Sequence, residues 1–303
     1  MHKILDKYLL PLAMLVGFIF YKQLRVLSPA TPYLLATMLL ISYSRIDWKE
    51  IKFTKAHLIL LAIQYIGSIA VYLLLLPINP ILAQGAMICV FAPTATAAPV
   101  VVGLLGGNIG SAATFTLFSN LSTAFMAPIY LTLIGNNTTD IHFLHSLIFI
   151  LKKVLPVLVL PFLLSLFFKN KTPQLHQKLQ TSQIFSFYIW GLALAIVIAN
   201  MVYFVTQKES NNFHLELGLA ITSLIIAAGQ FILGRRIGSK FDITVTGGQG
   251  LGQKNTILAV WLTQTYLHPI ASLGPGFYIL WQNLINSYQI WKKRQKQITK
   301  PKH

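Results

Sequence analysis

Two stretches decide the fold: residues 92–99 read APTATAAP, and residues 246–255 read TGGQGLGQKN. Each interrupts a long apolar segment. The two prolines of the first stretch remove backbone donors and clash with the preceding turn, and the four glycines of the second weaken a helix through backbone entropy. Both stretches are therefore predicted to break helices, although Pro and Gly in apolar helices also mark kinks or close packing.

The composition around these breaks is that of a membrane protein. Apolar residues make up 55% of the 303 residues, charged residues 10%, and the mean hydropathy is +0.64. Soluble domains carry about 25% charged residues, so a lipid bilayer is the expected surrounding. The apolar runs are continuous and lack the in-out alternation of a barrel wall, which predicts an all-α membrane protein.

Ten apolar segments are long enough, or nearly so, to cross a bilayer, which takes about 20 residues. The first two are short. The predicted spans are residues 7–21, 31–45, 56–76, 79–105, 109–134, 152–168, 183–205, 213–234, 240–266 and 269–291. Residues 141–151 are predicted to lie at the membrane interface before the sixth span.

The polar loop at residues 135–140 divides the ten spans into five and five. An odd number of helices in each half predicts two inverted repeats, residues 1–135 and 141–291, within a single transporter unit. Each break falls in the fourth span of its half. Secondary transporters built on this plan bind their substrate where such half-helices meet.

The formal charge of +17 comes from 24 Lys and Arg against 7 Asp and Glu. These basic residues lie in short clusters between apolar runs, which suits an anionic membrane leaflet and excludes nucleic-acid binding as the function. Most of them fall on the side of the two termini. Both termini are therefore predicted to be cytoplasmic, in a plasma membrane or a bacterial inner membrane, and the oligomeric state is left open.

The sequence offers no basis for an intramembrane enzyme. Acidic residues fall at or near the ends of the segments, so no acid–base pair is predicted within the membrane. The single cysteine, Cys89, excludes an internal disulfide. No catalytic residues, cofactor or metal centre are predicted, apart from the coupling ion considered below.

Four short motifs follow one another along the chain: APTATA at 92–97, GNI at 107–109, QKNT at 253–256 and WQN at 281–283. In their order and spacing they resemble the bile acid:sodium symporter family. The resemblance implies a core domain of helices 3–5 and 8–10 and a panel domain of helices 1, 2, 6 and 7. It also implies that the substrate is an organic anion, such as a bile acid or a small carboxylate.

The sodium sites that the family implies are incomplete in this sequence. Ser119 and Thr123 match the hydroxyls of helix 5, and their spacing of four places them on one helix face. The family's Ser-Asn pair, however, falls on residues 98–99, its Glu on Gly250 and its Gln on Lys254. Sodium therefore remains possible as a coupling ion, but most ligands are missing, including the carboxylate.

Lys254 is the most informative substitution, because an ammonium buried in a membrane is costly and usually functional. The pair Gln253-Lys254 resembles a divergent branch of the family. The hypothesis is that the ammonium occupies the place of a sodium ion, with Ser119, Thr123 and unwound carbonyls as partners. The alternative is that Lys254 extends to the membrane interface.

The resemblance also implies a substrate site. Thr96 and Ala97 open the first half-helix, Asn255 opens the second, and Gln282 and Asn283 project from helix 10, although the two amides could only satisfy each other. The predicted function is transport of a small organic anion by alternating access without strict sodium dependence. The alternative is a transport-inactive scaffold or regulator, which would have no reason to keep a buried lysine beside a strained break.

Overall fold

The computed structural model describes residues 2–46, 49, 51–135, 143–206 and 213–298, and within these ranges the regular structure is helical. The helices are α1 (His2–Ile19), α2 (Tyr21–Leu24), α3 (Thr31–Ser44), α4 (Lys55–Leu75), α5 (Pro80–Phe91), α6 (Ala98–Leu104), α7 (Ile109–Ile134), α8 (Phe143–Lys171), α9 (Pro173–Thr181), α10 (Gln183–Thr206), α11 (Phe213–Ser239), α12 (Thr244–Gly252), α13 (Thr256–Tyr266) and α14 (Leu273–Ile298). Two 3-10 helices span Arg25–Ala30 and Pro269–Ser272.

Six of the described helical segments are long and apolar enough to cross a membrane. They are Tyr21–Ser44, Lys55–Leu75, Ile109–Ile134, Leu147–Lys171, Ile184–Phe204 and Phe213–Ser239. The all-helical membrane class is thus confirmed, while the ten-span inverted repeat stays a prediction. Most of the polar loop that separates the predicted repeats, residues 136–142, lies outside the described residues.

The predicted fourth and ninth segments are each interrupted. The first interruption separates α5 from α6 and the second separates α12 from α13. The glycines of the second stretch are not the break itself, because α12 continues through Gly247, Gly248, Gly250 and Gly252. Only residues 253–255 leave the helix, and the glycines have a packing role instead.

The helix that contains the sixth predicted span begins earlier than the span itself. Helix α8 begins at Phe143, so residues 143–151 are continuous with it, and their position at the membrane interface stays a prediction. These residues, FLHSLIFIL, contain neither Pro nor Gly. Nothing in them opposes propagation of the helix toward its N-terminus.

The chain forms two compact units. Unit 1 comprises residues 1–46, 121–213 and 257–273, and unit 2 comprises residues 47–120, 214–256 and 274–303. Helices α1, α3, α8 and α10 belong to unit 1, and α4, α5, α6, α11 and α12 belong to unit 2. The division into panel and core domains remains a prediction.

Within unit 1, α10 packs against α1 and α3, and α3 packs against α8. Gly17 of α1 lies close to α10, because a Cβ atom added to Gly17 would lie only 2.5 Å from the carbonyl oxygen of Ala195. Tyr43 of α3 packs edge-on against Phe162 of α8, with ring centroids 5.8 Å apart. Small residues and aromatic edges thus supply the packing that membrane helices need in place of a hydrophobic driving force.

Within unit 2, the glycines of α12 allow close approach to α11. A Cβ atom on Gly247 would collide with the carbonyl oxygen of Gly234, and a Cβ atom on Gly234 would collide with the carbonyl oxygen of Gly247. Two backbones in direct contact explain why this helix is rich in glycine despite its low helix propensity.

Gly247→Ala is expected to lower the melting temperature of the detergent-purified protein. The added methyl group forces α12 away from α11, and such overpacking costs about 1–3 kcal/mol. Gly229→Ala is the matched control, because it lies in α11 with nothing within 4 Å of an added Cβ. Alanine is the better helix former by about 1 kcal/mol, so this control should keep or raise the melting temperature. Equal losses in the two variants would contradict the packing role.

Candidate functional site

The two helix interruptions meet in a short antiparallel bridge within unit 2. Thr94 of the first interruption lies opposite Lys254 of the second. Two backbone hydrogen bonds flank this pair: the Ala95 amide donates to the Gln253 carbonyl at 2.8 Å, and the Asn255 amide donates to the Pro93 carbonyl at 2.7 Å. Backbone that leaves a helix at membrane depth needs such partners, because lipid offers none.

The C-terminal end of α5 is the second element of the site. A helix leaves its last four carbonyls without partners in its own body. In α5 each of these four carbonyls accepts a hydrogen bond. The Ile88 carbonyl accepts from the Ala92 amide at 2.9 Å, and the Cys89 carbonyl accepts from the Gln230 side chain at 3.1 Å. The Val90 carbonyl accepts from the Lys254 ammonium at 2.8 Å, and the Phe91 carbonyl accepts from the Gln64 side chain at 2.9 Å. Three of the donors are side chains from α4, α11 and the second interruption.

Lys254 brings its positive charge into the interior of this site. Its side chain is 1% exposed and does not extend to a surface. The partner of its ammonium, the Val90 carbonyl, lies at the end of a helix, where the aligned peptide dipoles place a partial negative charge. No carboxylate pairs with Lys254 within the part of the chain that the structure describes. The charge is thus held by a helix end.

Thr94 is fixed by three hydrogen bonds. Its amide donates to the Ser119 hydroxyl at 3.1 Å, and its carbonyl accepts from the Asn120 side chain at 3.0 Å. Its own hydroxyl donates to the Gly250 carbonyl at 2.7 Å, near the end of α12. The bridge is therefore held from α7 on one side and from α12 on the other.

The residues predicted to surround a cation lie as follows. Ser119 is buried in α7, and its hydroxyl donates to Gln64 at 2.8 Å while accepting from Thr94. Thr123 is buried one turn further along the same helix. Gln253 is part of the bridge through its carbonyl, and its side-chain oxygen is buried without a hydrogen-bond partner in the described chain.

The residues predicted to contact substrate differ in accessibility. Thr96 and Asn255 are half-buried, and Ala97 is exposed. Gln282 accepts a hydrogen bond from the Lys254 amide at 3.0 Å, so it touches the bridge directly. Asn283 donates to the carbonyl of Ile279 in its own helix at 2.6 Å. The two neighbouring amides of α14 therefore have different partners.

Three site residues were missed from the sequence. Asn120 holds Thr94, and Gln230 donates both to Cys89 and, at 3.1 Å, to the Tyr278 hydroxyl. Tyr278 in turn donates to the Gly252 carbonyl at 2.8 Å, which satisfies the last residue of α12. Polar side chains inside apolar segments are expected to have such partners. All three residues are polar side chains inside apolar segments, so the sequence alone could have indicated them.

The arrangement does not resemble a catalytic or metal centre. Among the described residues, no group of three or more His, Cys, Asp or Glu side chains could hold a metal ion. What the site offers instead is a rigid backbone crossing, a buried ammonium and several accessible polar positions at its edge.

Comparison with protein families gives one match. The sequence profile of the sodium bile acid symporter family matches residues 5–210, about two thirds of the chain. The match includes the first interruption, α4, α5 and α7, and ends before the second interruption. No curated protein matches the sequence. The role of residues 253–255 therefore depends on the geometry described above.

Proposed function

The chain belongs to the sodium bile acid symporter family, and on this premise we propose that it transports a small organic anion by alternating access without a strict need for sodium. The family assignment and the apolar helices make it an integral membrane protein of the symporter type. The substrate, the coupling and the orientation with both termini in the cytoplasm belong to the proposal.

The observation that carries the proposal is the hydrogen bond from the Lys254 ammonium to the Val90 carbonyl. A bound cation would neutralise the negative end of α5 and hold the two interruptions together. The ammonium does both as a permanent part of the chain, because it is covalently attached to one interruption and bonded to the helix that precedes the other.

The donor set around the bridge is poorly suited to a sodium ion. The buried side-chain oxygens of unit 2 without hydrogen-bond partners in the described chain include those of Thr116, Asn120, Gln230, Gln249 and Gln253, all of them neutral. A sodium ion near the bridge would be repelled by the Lys254 ammonium and would meet no carboxylate among the described residues there. Charges of like sign in a medium of low polarity disfavour one another strongly.

The substrate would bind at the accessible edge of the bridge. Thr96, Ala97 and Asn255 are exposed or half-buried there, whereas Thr94, Gln253 and Lys254 are buried. Gln282 and Asn283 provide amide groups on α14. The buried positive charge behind these positions favours an anionic ligand, since a charge in a medium of low polarity acts over a long range.

The experiment that tests this proposal compares the melting temperature of the purified protein in sodium chloride and in choline chloride at equal ionic strength. A ligand that binds only the folded protein raises the melting temperature by mass action. We expect equal melting temperatures in the two salts. A rise specific to sodium would show that a sodium site survives and would remove the role assigned to Lys254.

Transport itself is measured in parallel as the uptake of radiolabelled monocarboxylates and bile acids into proteoliposomes. Uptake that saturates with substrate and persists in choline is the expected result. The absence of uptake for every anion, in protein that melts cooperatively, would instead favour the transport-inactive scaffold.

A further inference from the structure

Helix α9 (Pro173–Thr181) connects two segments of unit 1 that are long and apolar enough to cross a membrane. Only Thr172 separates it from α8, and only Ser182 separates it from α10. Its 9 residues extend about 14 Å, whereas a hydrocarbon layer measures about 30 Å. Since α9 also packs against α3 and α8, it lies where these segments leave the bilayer.

Exposed apolar side chains surround α9. Within the helix the side chain of His176 is buried and that of Leu175 is exposed, so one face is packed and another is open. Phe167 near the end of α8 and Ile184 and Phe185 at the start of α10 are exposed as well. The four apolar side chains are between 41% and 64% exposed. At the ends of membrane-spanning helices, such side chains contact the acyl chains of lipids just below the headgroups.

Cationic side chains lie at the same end of unit 1. Four of them are exposed and form what we call the basic surface: Arg45, Lys169, Lys171 and Lys178. Lys169 and Lys171 belong to the last turn of α8, and Lys178 belongs to α9. Arg45 directly follows α3, and the hydroxyl of Ser44 at the end of α3 lies 3.4 Å from that of Ser165. Because Ser165 is one turn before Lys169 in α8, Arg45 belongs to the same end as the three lysines.

The elements that carry the basic surface contain no acidic residue. Residues 31–46 and 143–206 include neither Asp nor Glu. The positive charge also reaches the packed face of α9: burial lowers the pKa of His176, and the charge of Lys169 lowers it further. A group of exposed cations without neighbouring carboxylates in these elements attracts anions.

We propose that the basic surface binds the headgroup phosphates of anionic phospholipids. Its four cations contact the phosphates, and the exposed apolar side chains around α9 contact the acyl chains. This pairing of charged and apolar groups at the ends of membrane-spanning segments fits a lipid better than a soluble anion. The predicted orientation also places this end at the cytoplasmic leaflet, which is the anionic one. The inference depends neither on the substrate nor on the coupling ion.

The test measures the melting temperature of the full-length protein in a neutral maltoside detergent while dioctanoylphosphatidylglycerol is added. A ligand that binds only the folded protein raises the melting temperature by mass action. We expect a saturable rise of about 3 °C or more, whose concentration dependence gives an apparent Kd. Dioctanoylphosphatidylcholine has the same acyl chains without a net charge, and inorganic phosphate has the charge without acyl chains. Neither should raise the melting temperature at the same concentration.

Variants assign the binding to the basic surface. The triple variant of Lys169, Lys171 and Lys178 to Gln is expected to raise the apparent Kd at least about tenfold, because one lysine near an anionic lipid surface contributes about fivefold. The same three residues changed to Arg keep the charge and should keep the affinity. The matched control changes the exposed lysines 22, 152 and 153 of unit 1 to Gln. It removes the same charge, but Lys152 lies about 28 Å before Lys171 along α8, so its affinity should equal that of the parent.

Affinity that is lost in the Gln variant and kept in both the Arg variant and the control supports the proposal, whether or not the protein transports an anion. An equal rise with phosphatidylcholine, no rise with phosphatidylglycerol, or equal losses in the Gln variant and the control would overturn it. An equal rise with inorganic phosphate would place a free anion at the basic surface and overturn the assignment to lipid. If the Gln variant does not unfold cooperatively without lipid, Lys178→Gln alone decides: about fivefold weaker binding supports the proposal, and unchanged binding contradicts it.

Discussion

Replacing Lys254 by alanine is expected to abolish transport and to lower the melting temperature by several degrees. The Val90 carbonyl would lose its donor, and a buried acceptor without a partner costs about 1–3 kcal/mol. The removed side chain would also leave a cavity at a position that is 1% exposed. Relief from burying a charge opposes these losses, so the size of the effect depends on the balance. Lys254→Met separates the terms, because it fills the volume without restoring the donor.

Transport in proteoliposomes and thermal unfolding in detergent measure the two consequences separately. We expect Lys254→Met to melt at a higher temperature than Lys254→Ala and to be equally inactive in transport. Lys240→Ala is the control, since it removes an exposed lysine and should change the unfolding free energy by less than about 0.5 kcal/mol. If Lys254→Ala retains both its melting temperature and its transport rate, the ammonium does not hold the two interruptions together.

The second large effect is expected for Thr94→Val. Valine has nearly the same shape as threonine but lacks the hydroxyl that donates to the Gly250 carbonyl at 2.7 Å. The orphaned carbonyl costs about 1–3 kcal/mol, and the bridge loses its attachment to α12. We therefore expect a lower melting temperature and a transport rate reduced about tenfold or more, since small displacements of a site can cost that much.

Two further variants check the cause of this loss. Thr94→Ser keeps the hydroxyl and should recover most of the stability and transport. Thr37→Val removes a hydroxyl that donates only to the Tyr33 carbonyl in its own helix, where the acceptor already belongs to the helical ladder. A loss in Thr37→Val as large as that in Thr94→Val would mean that the hydroxyl bond to α12 is not the cause.

Much of this architecture could be predicted from the order of apolar and breaking residues. The prolines at 93 and 99 remove donors that no helix can replace, so the first interruption was placed correctly. The glycines were misleading at the second interruption. Their low helix propensity predicts a break, but close packing of α12 against the backbone of Gly234 in α11 offsets this low propensity. Helix α12 therefore continues to Gly252. Tertiary packing of this kind has no local signal.

The site was predictable only in part for the same reason. An ammonium in an apolar segment indicates a functional position, and Lys254 is indeed buried at the bridge. Its acceptor could not be predicted, because the Val90 carbonyl lies 164 residues away in the sequence and every residue carries a carbonyl. The residues that hold Thr94 lie 25, 26 and 156 residues from it in the sequence, and only the meeting of the two interruptions reveals them.

The donors at the end of α5 also constrain how the protein is made. Helix α5 has 12 residues, about 18 Å, and cannot cross a hydrocarbon layer of about 30 Å by itself. Gln64 is synthesised before it, but Gln230 and Lys254 follow the carbonyls they satisfy by 141 and 164 residues. Until the second half of the chain has been translated, two of these four carbonyls therefore lack the donors that they have in the folded protein.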